Sequence, residues 1–91
     1  MNYQLEFSTE AQKVIAKWKK SNPSAFKKLY NLLPELEKHP RSGTGHPEAL
    51  KGGQGITYSR HLTAHDRIIY DIYENTVTVL VITLEGHYND K

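Results

Sequence analysis

Residues 66–84, DRIIYDIYENTVTVLVITL, decide the fold of this chain. Two apolar runs in this stretch, Arg67–Tyr73 and Val77–Leu84, are rich in β-branched and aromatic residues, which favours β-strands. Glu74-Asn75 lies between them and fits a tight hairpin turn. Ile56–Leu62, just upstream, alternates apolar and polar residues and predicts one more strand. The second half of the chain is therefore expected to form three consecutive strands.

The first half of the chain predicts one short strand followed by two helices. Tyr3–Phe7 alternates in the manner of a half-buried strand. Ser8 or Thr9 can cap a first helix, and Asn22 with Pro23 can begin a second. Apolar residues recur at helical spacing in both segments, as Ala11, Val14, Ile15 and Trp18 and then as Phe26, Leu29, Tyr30, Leu33 and Leu36. Two helices joined by so short a turn predict an antiparallel helical hairpin.

Proline and glycine residues interrupt the chain between the helices and the strands. Pro34 predicts either a kink in the second helix or a stop followed by a short turn. His39–Gln54 has no periodicity and predicts a loop, with a brief strand or turn around Glu48–Lys51. The order β-α-α-β-β-β indicates the α+β class, with the N-terminal strand and helical hairpin packed on a small twisted antiparallel sheet. At 91 residues, the chain is expected to form a single domain, 1–91.

Composition excludes several kinds of protein. The chain has no cysteine, which removes disulfides, thiolate zinc sites and cysteine nucleophiles. The N-terminal MNYQLEF does not have the pattern of a signal peptide, and no apolar stretch is long enough to span a membrane. We therefore expect a cytoplasmic protein. The net charge is +2, and the lysines of the first half suit a polyanionic partner, although for lysines alone a solvated helical face is the better interpretation.

The polar residues of the second half match the chemistry of RNA cleavage. A carboxylate such as Glu48 can take the proton of a 2′-hydroxyl, and a late histidine such as His87 can return a proton to the leaving oxygen. Fixed cations such as Lys51, Arg60 and Arg67 can stabilise the charge that builds on the phosphate. Each residue also has a plainer interpretation, because an exposed loop glutamate or a strand-end arginine is common on any protein surface.

Metal and nucleotide motifs fit the sequence poorly. His61 and His65 are four residues apart, but they flank a predicted strand end rather than lie on a helix, and the glutamate of HExxH is missing. GTGHPE is not a phosphate-binding loop, since no Gly-Lys-Ser/Thr follows. We therefore predict neither a metal site nor a cofactor.

Four motifs in order resemble the YoeB/Txe toxins of bacterial type II toxin–antitoxin modules, which belong to the RelE-like superfamily. They are GTGHPEALK (43–51), YSRH (58–61), HDRIIY (65–70) and GHY (86–88). The likeness extends over nearly the whole chain in the order and length of the elements. Each motif alone is weak, but the set in this order and spacing is a strong signal.

The resemblance implies an endoribonuclease that cuts mRNA in the ribosomal A site without a metal. It implies that Glu48 is the general base, that Arg67 stabilises the transition state and that His87 is the general acid. The substrate contacts that it implies are made by Lys51, Arg60, His61 and Tyr88. It also implies a small dimer or a toxin–antitoxin complex, silenced by an antitoxin of the YefM/Axe type whose C-terminal segment wraps the toxin.

The chain departs from the family pattern at three places. His61 stands where the second arginine of an S-R-R motif is expected, which makes one phosphate contact weaker or dependent on pH. Tyr58 replaces an aromatic residue that is often tryptophan, and Asn89-Asp90-Lys91 follow the His87-Tyr88 pair. Two other functions stay open: a related toxin that poisons DNA gyrase by binding, and a non-toxic member that only binds an antitoxin.

Overall fold

The structure, a computed structural model, describes residues 2–50 and 55–84. The helices and strands of this part follow one another in the order β1 Gln4–Phe7, α1 Thr9–Ser21, α2 Pro23–Lys38, β2 Glu48–Ala49, β3 Thr57–His61, β4 Arg67–Tyr73 and β5 Thr78–Thr83. The α+β class is therefore confirmed, and β4 has the predicted bounds. The predicted brief strand near Glu48 is also present, as β2.

The five strands form one mixed sheet in the order β1-β5-β4-β3-β2. Strands β2 to β5 pair antiparallel with their neighbours, but β1 pairs parallel to β5, with Leu5 opposite Val79. The predicted antiparallel sheet is confirmed for β3, β4 and β5, and the N-terminal strand, which was predicted to pack on this sheet, joins its edge in parallel with β5. Alternation along a strand shows which faces are apolar and does not say which strand lies alongside.

The helix starts follow the side chains that cap them. Ser8, rather than Thr9, caps α1, since its Oγ accepts the Ala11 N–H at 3.0 Å. Asn22 caps α2 in the same way, with Pro23 in the first turn. Helix α2 continues through Pro34 to Lys38, so of the two outcomes predicted for this proline, a kink or a stop, the stop does not occur.

The main core lies between the two helices and one face of the sheet. Trp18, Leu29 and Leu36 pack from the helices, and alternate residues of the strands, such as Tyr70 and Val81, pack from the sheet. The opposite face of the sheet carries no helix in the described part of the chain. We call it the open face.

The turn between β4 and β5 is longer than the sequence predicted. Tyr73 pairs with Thr78, which leaves residues 74–77 in the turn, and the Val77 N–H donates to the Glu74 carbonyl at 3.2 Å. Val77 has a φ of 50°, a left-handed conformation that is strained for a β-branched residue. Glu74-Asn75 therefore does not make a two-residue turn.

Candidate active site on the open face of the sheet

Strand register brings three of the predicted site residues onto the open face. Glu48 of β2 lies opposite Ser59 of β3, and His61 lies two residues further along β3, opposite Arg67 of β4. Directly opposed residues in an antiparallel pair point to the same side of the sheet. Since Tyr70 and its alternate neighbours on β4 face the helices, these three residues lie on the other side.

The spacing of the strands leaves room for a ligand between the carboxylate and the cation. Glu48 and Arg67 are two strands apart in the sheet and two residues apart along the strand direction. At about 4.8 Å per strand and about 3.4 Å per residue, their backbones are about 12 Å apart. Both side chains are long, so they can approach one phosphodiester from opposite sides. His61 lies between them along the strand and directly beside Arg67.

The three side chains are accessible and unengaged within the described residues. Glu48 and His61 are exposed, and Arg67 is partly buried at the start of β4. Among residues 2–50 and 55–84, no hydrogen bond or ion pair involves the side chain of any of the three. A carboxylate and a guanidinium that are not paired with each other remain available to a ligand.

Arg60 has a different environment from its neighbour His61. It is 0% exposed and points to the helix side of the sheet. Arginine has five N–H donors, and in Arg60 every one of them is used inside the protein. The acceptors are the Tyr70 hydroxyl at 2.9 Å, Glu35 Oε2 at 3.0 Å, and the carbonyls of Thr44 at 3.1 Å, His39 at 2.6 Å and Ser42 at 2.9 Å.

The predicted substrate contact by Arg60 was therefore wrong. A buried guanidinium with no remaining donor has nothing to offer a phosphate on the opposite face. The alternation of β3 carried the signal, since it placed Arg60 on the same face as Tyr58 and Leu62. The resemblance nevertheless implied that Arg60 contacts the substrate, and the burial of its side chain excludes this contact.

Two residues that the sequence did not single out complete this buried cluster. Glu35 of α2 accepts from Arg60 and from the Thr44 N–H at 2.6 Å. Burial alone would raise the pKa of Glu35, but these hydrogen bonds and the positive charge of Arg60 together lower it below its ordinary value. The Tyr70 hydroxyl accepts from Arg60 and donates to the Pro40 carbonyl at 2.7 Å, and burial raises the pKa of this phenol.

The cluster holds the segment 39–45, which leads into β2. The His61 N–H fastens the end of this segment by donating to the Gly45 carbonyl at 2.8 Å. Gly45 has a φ of 85°, and a Cβ there would lie 2.6 Å from the His61 carbonyl oxygen. Only glycine fits such a close approach of two backbones. Three residues later the chain reaches Glu48.

A cleft of about 280 Å³ lies beside His61, between α2 and the end of β3. Its polar lining consists of Lys28, Asn31, Glu35, Thr44 and His61. The Glu35 carboxylate lies beside the amine, amide, hydroxyl and imidazole groups, so the cleft is polar and carries groups of both signs. The cleft extends the accessible region from the open face towards the helices.

The remaining predicted site residues, Lys51, His87 and Tyr88, lie outside the described residues. Within the part that the structure describes, no three His, Asp or Glu side chains converge into a group that could hold a metal ion. In the same part, no helix is long and apolar enough to cross a membrane.

Residues 7–88 match the sequence profile of the YoeB-like toxin of bacterial type II toxin-antitoxin systems. The chain belongs to this family. It is 27% identical over 71 residues to Toxin YoeB of Escherichia coli strain K12, an alignment that covers 78% of this chain and 82% of that protein. It is 26% identical over 76 residues to Toxin RelK of Mycobacterium tuberculosis, covering 84% and 89% of the two chains. The family predicted from the four motifs is thus confirmed.

Solved structures of related toxins share the fold. A YoeB/ParE toxin from Agrobacterium tumefaciens superposes with a TM-score of 0.85 at 26% identity, covering 93% of this chain and 99% of that one. The YoeB dimer from Staphylococcus aureus superposes with a TM-score of 0.82 at 24% identity, covering 97% and 100%. The isolated RelE toxin of Escherichia coli superposes with a TM-score of 0.72 at 26% identity, covering 92% and 83%. The RelE-like fold predicted from the sequence is therefore confirmed as well.

Proposed function

We propose that this YoeB-family toxin is an endoribonuclease that cuts mRNA in the ribosomal A site. The observation that carries the proposal is the placement of Glu48, His61 and Arg67 on the open face, with Glu48 and Arg67 unpaired among the described residues. A carboxylate and a fixed cation on the same face of the sheet, with a histidine between them, are the groups that attack by a 2′-hydroxyl needs.

The proposed reaction combines Glu48 and Arg67 of this face with His87, which lies outside the described residues. Glu48 accepts the proton of the 2′-hydroxyl, and the freed oxygen attacks the adjacent phosphorus. Arg67 faces the phosphate and stabilises the charge that builds on its oxygens, because a guanidinium fork matches two phosphate oxygens. His87 then gives a proton to the departing 5′-oxygen. The products are a 2′,3′-cyclic phosphate and a 5′-hydroxyl, and no metal takes part.

The remaining basic and aromatic residues bind the substrate. Lys51 follows Glu48 closely in the chain and adds positive charge near the phosphate. His61 lies directly beside Arg67 and donates to a phosphate oxygen most strongly when it is protonated. Tyr88 stacks on an unpaired base of the message. Arg60 takes no direct part, since its donors are all used inside the protein.

The partners proposed for this toxin are a cognate antitoxin and a second copy of the chain. The structural relatives include a YoeB-YefM complex and a YoeB dimer from Staphylococcus aureus. We expect an antitoxin of the YefM/Axe type, whose C-terminal segment wraps the toxin and covers the open face. The toxin is proposed to act in the cytoplasm, where ribosomes and mRNA are.

A toeprint of a defined mRNA on ribosomes stalled at a chosen codon tests the proposal. We expect a cut inside the A-site codon with the wild-type protein and none with Glu48→Ala. Glu6→Ala is the matched control, because Glu6 is an exposed glutamate on the opposite edge strand of the same sheet. The control should cut at the wild-type rate.

Two results would overturn the proposal. Cutting by Glu48→Ala at the wild-type rate would remove Glu48 from the reaction. An uncut message with the wild-type protein would make the toxin a binder, and inhibition of DNA gyrase would then be measured.

A further inference from the structure

The buried guanidinium of Arg60 connects the interior of the protein to the backbone that leads into β2. Three of its five hydrogen bonds go to carbonyls of the segment 39–45, which has no regular secondary structure of its own. The other two go to Tyr70 of β4 and Glu35 of α2, which lie in regular secondary structure. Arg60 therefore ties a loop to a sheet and a helix at once.

The same segment sets the position of Glu48 on the open face. The Thr44 carbonyl accepts from the Arg60 side chain, and the next carbonyl, that of Gly45, accepts from the backbone of His61. Glu48 follows within four residues and is held by a strand of only two residues. So short an edge strand makes few backbone hydrogen bonds, and its register depends on how the preceding chain is fixed.

We propose that Arg60 is a positioning residue for Glu48. It holds the segment 39–45 so that Glu48 lies opposite Ser59, with its carboxylate on the face shared with Arg67. The proposal rests on the proposed nuclease function for its activity measurement, but not for its structural measurement. In this proposal Arg60 does not contact the substrate but holds the backbone segment that leads to the general base, Glu48.

Lysine cannot take over this role. An ammonium has three donors that radiate from one nitrogen, whereas the five acceptors around Arg60 surround a planar fork. In Arg60→Lys, at least two of the acceptors lose their donor. The net charge is unchanged, so a difference between the two proteins reports geometry rather than overall charge.

Tyr70→Phe is the milder test. It removes one hydroxyl that accepts from Arg60 and donates to Pro40, and it keeps the aromatic ring that fills the core. Tyr73→Phe is its matched control, because Tyr73 lies on the same strand and its hydroxyl donates to Asp71 on the protein surface. Each variant loses one tyrosine hydroxyl, but only the first loses it from the Arg60 cluster.

Backbone hydrogen exchange measures whether the segment is held. The His61 amide, which donates to Gly45, should exchange about tenfold faster in Tyr70→Phe and faster still in Arg60→Lys. The Ile72 amide, which donates to Ile56 just before the start of β3, should be accelerated less than the His61 amide. Equal acceleration at both amides would mean that the fold as a whole was weakened, and this would overturn the proposal.

Single-turnover cleavage on stalled ribosomes measures the effect on the reaction. We expect the rate at saturating toxin to fall about 10- to 100-fold in Arg60→Lys, with the half-saturating concentration within about twofold of wild type. Tyr73→Phe should match the wild type in both quantities. A folded Arg60→Lys protein that cuts at the wild-type rate would overturn the proposal, as would a loss confined to ribosome binding.

The two measurements separate this proposal from the nuclease proposal. If the wild-type protein does not cut RNA, the nuclease function fails, and local exchange at His61 still decides whether Arg60 holds the segment. If the wild type cuts and exchange at His61 is unchanged in both variants, the positioning role fails and the nuclease function stands.

Discussion

Replacing Arg60 with alanine should cost a large share of the free energy of unfolding. The substitution removes the Arg60 donor from the Glu35 carboxylate, the Tyr70 hydroxyl and the backbone carbonyls around them. Removing one partner of a buried ion pair costs about 3–5 kcal/mol. Glu35 keeps 25% of its side chain exposed and can turn to water, which places the expected loss at about 3–4 kcal/mol.

This loss is large beside the stability of so small a domain. Domains are stable by about 0.05–0.15 kcal/mol per residue, so a chain of 91 residues has about 5–14 kcal/mol in all. The variant should therefore lose about a fifth or more of its stability. At about 4–8 °C per kcal/mol, its melting temperature should fall by roughly 12–30 °C.

Urea unfolding followed by tryptophan fluorescence checks this value directly. The chain has one tryptophan, Trp18, which is 2% exposed and packs in the main core, so its emission reports the loss of that core. Arg41→Ala is the matched control, since Arg41 is an exposed arginine paired with Glu74 on the surface and should cost less than about 1 kcal/mol. A loss below about 1 kcal/mol in Arg60→Ala would refute the reasoning, because the five hydrogen bonds would then contribute nothing beyond those of a surface arginine.

Three further predictions concern the open face, a strained turn and acid stability. His61→Arg places a fixed cation beside Arg67 and should raise the affinity for stalled ribosomes about two- to tenfold, as measured by titration of the cleavage rate. Val77→Gly relieves a left-handed valine and should raise the free energy of unfolding, measured in urea, by about 0.5–1 kcal/mol. A lower free energy of unfolding would mean that the lost side-chain contacts outweigh the strain. The pKa of Glu35 is lower in the folded state than its ordinary 4.5, so its stabilising effect is present above that pH and is lost as the pH falls below it. The stability difference between the wild type and Glu35→Gln should accordingly shrink below about pH 4.5 in urea titrations, and a constant difference would argue against the ion pair with Arg60.

The sequence predicted the elements of this fold better than their arrangement. Hydrophobic periodicity located both helices and the long strands, because burial on one face imposes a spacing that is visible in the chain. It did not predict that β1 lies parallel to β5, since that pairing is decided by where the helical hairpin returns the chain. It also predicted that the last strand begins at Val77, whereas Val77 belongs to the four-residue turn from Glu74, because a left-handed valine is a conformation that its sequence does not suggest.

The candidate site was predicted in its residues but not in its geometry. The resemblance named Glu48 and Arg67, and only the strand register brings them to one face of the sheet. The resemblance also assigned Arg60 to the substrate, although Arg60 lies two residues after Tyr58 in a strand and therefore shares its buried face. Glu35 could not have been singled out, because it is 25 residues away in the chain and meets Arg60 only after α2 has packed on the sheet.

Adjacent residues of β3 show how one strand separates two uses of positive charge. Arg60 and His61 are neighbours in sequence, but a strand directs them to opposite faces, so one holds the fold and the other meets the solvent. A substitution at position 61 changes the charge beside Arg67 without breaking a described side-chain contact. The same substitution at position 60 would leave buried acceptors unsatisfied. Histidine in place of the arginine expected from the family is therefore compatible with this fold at position 61 and would be costly at position 60.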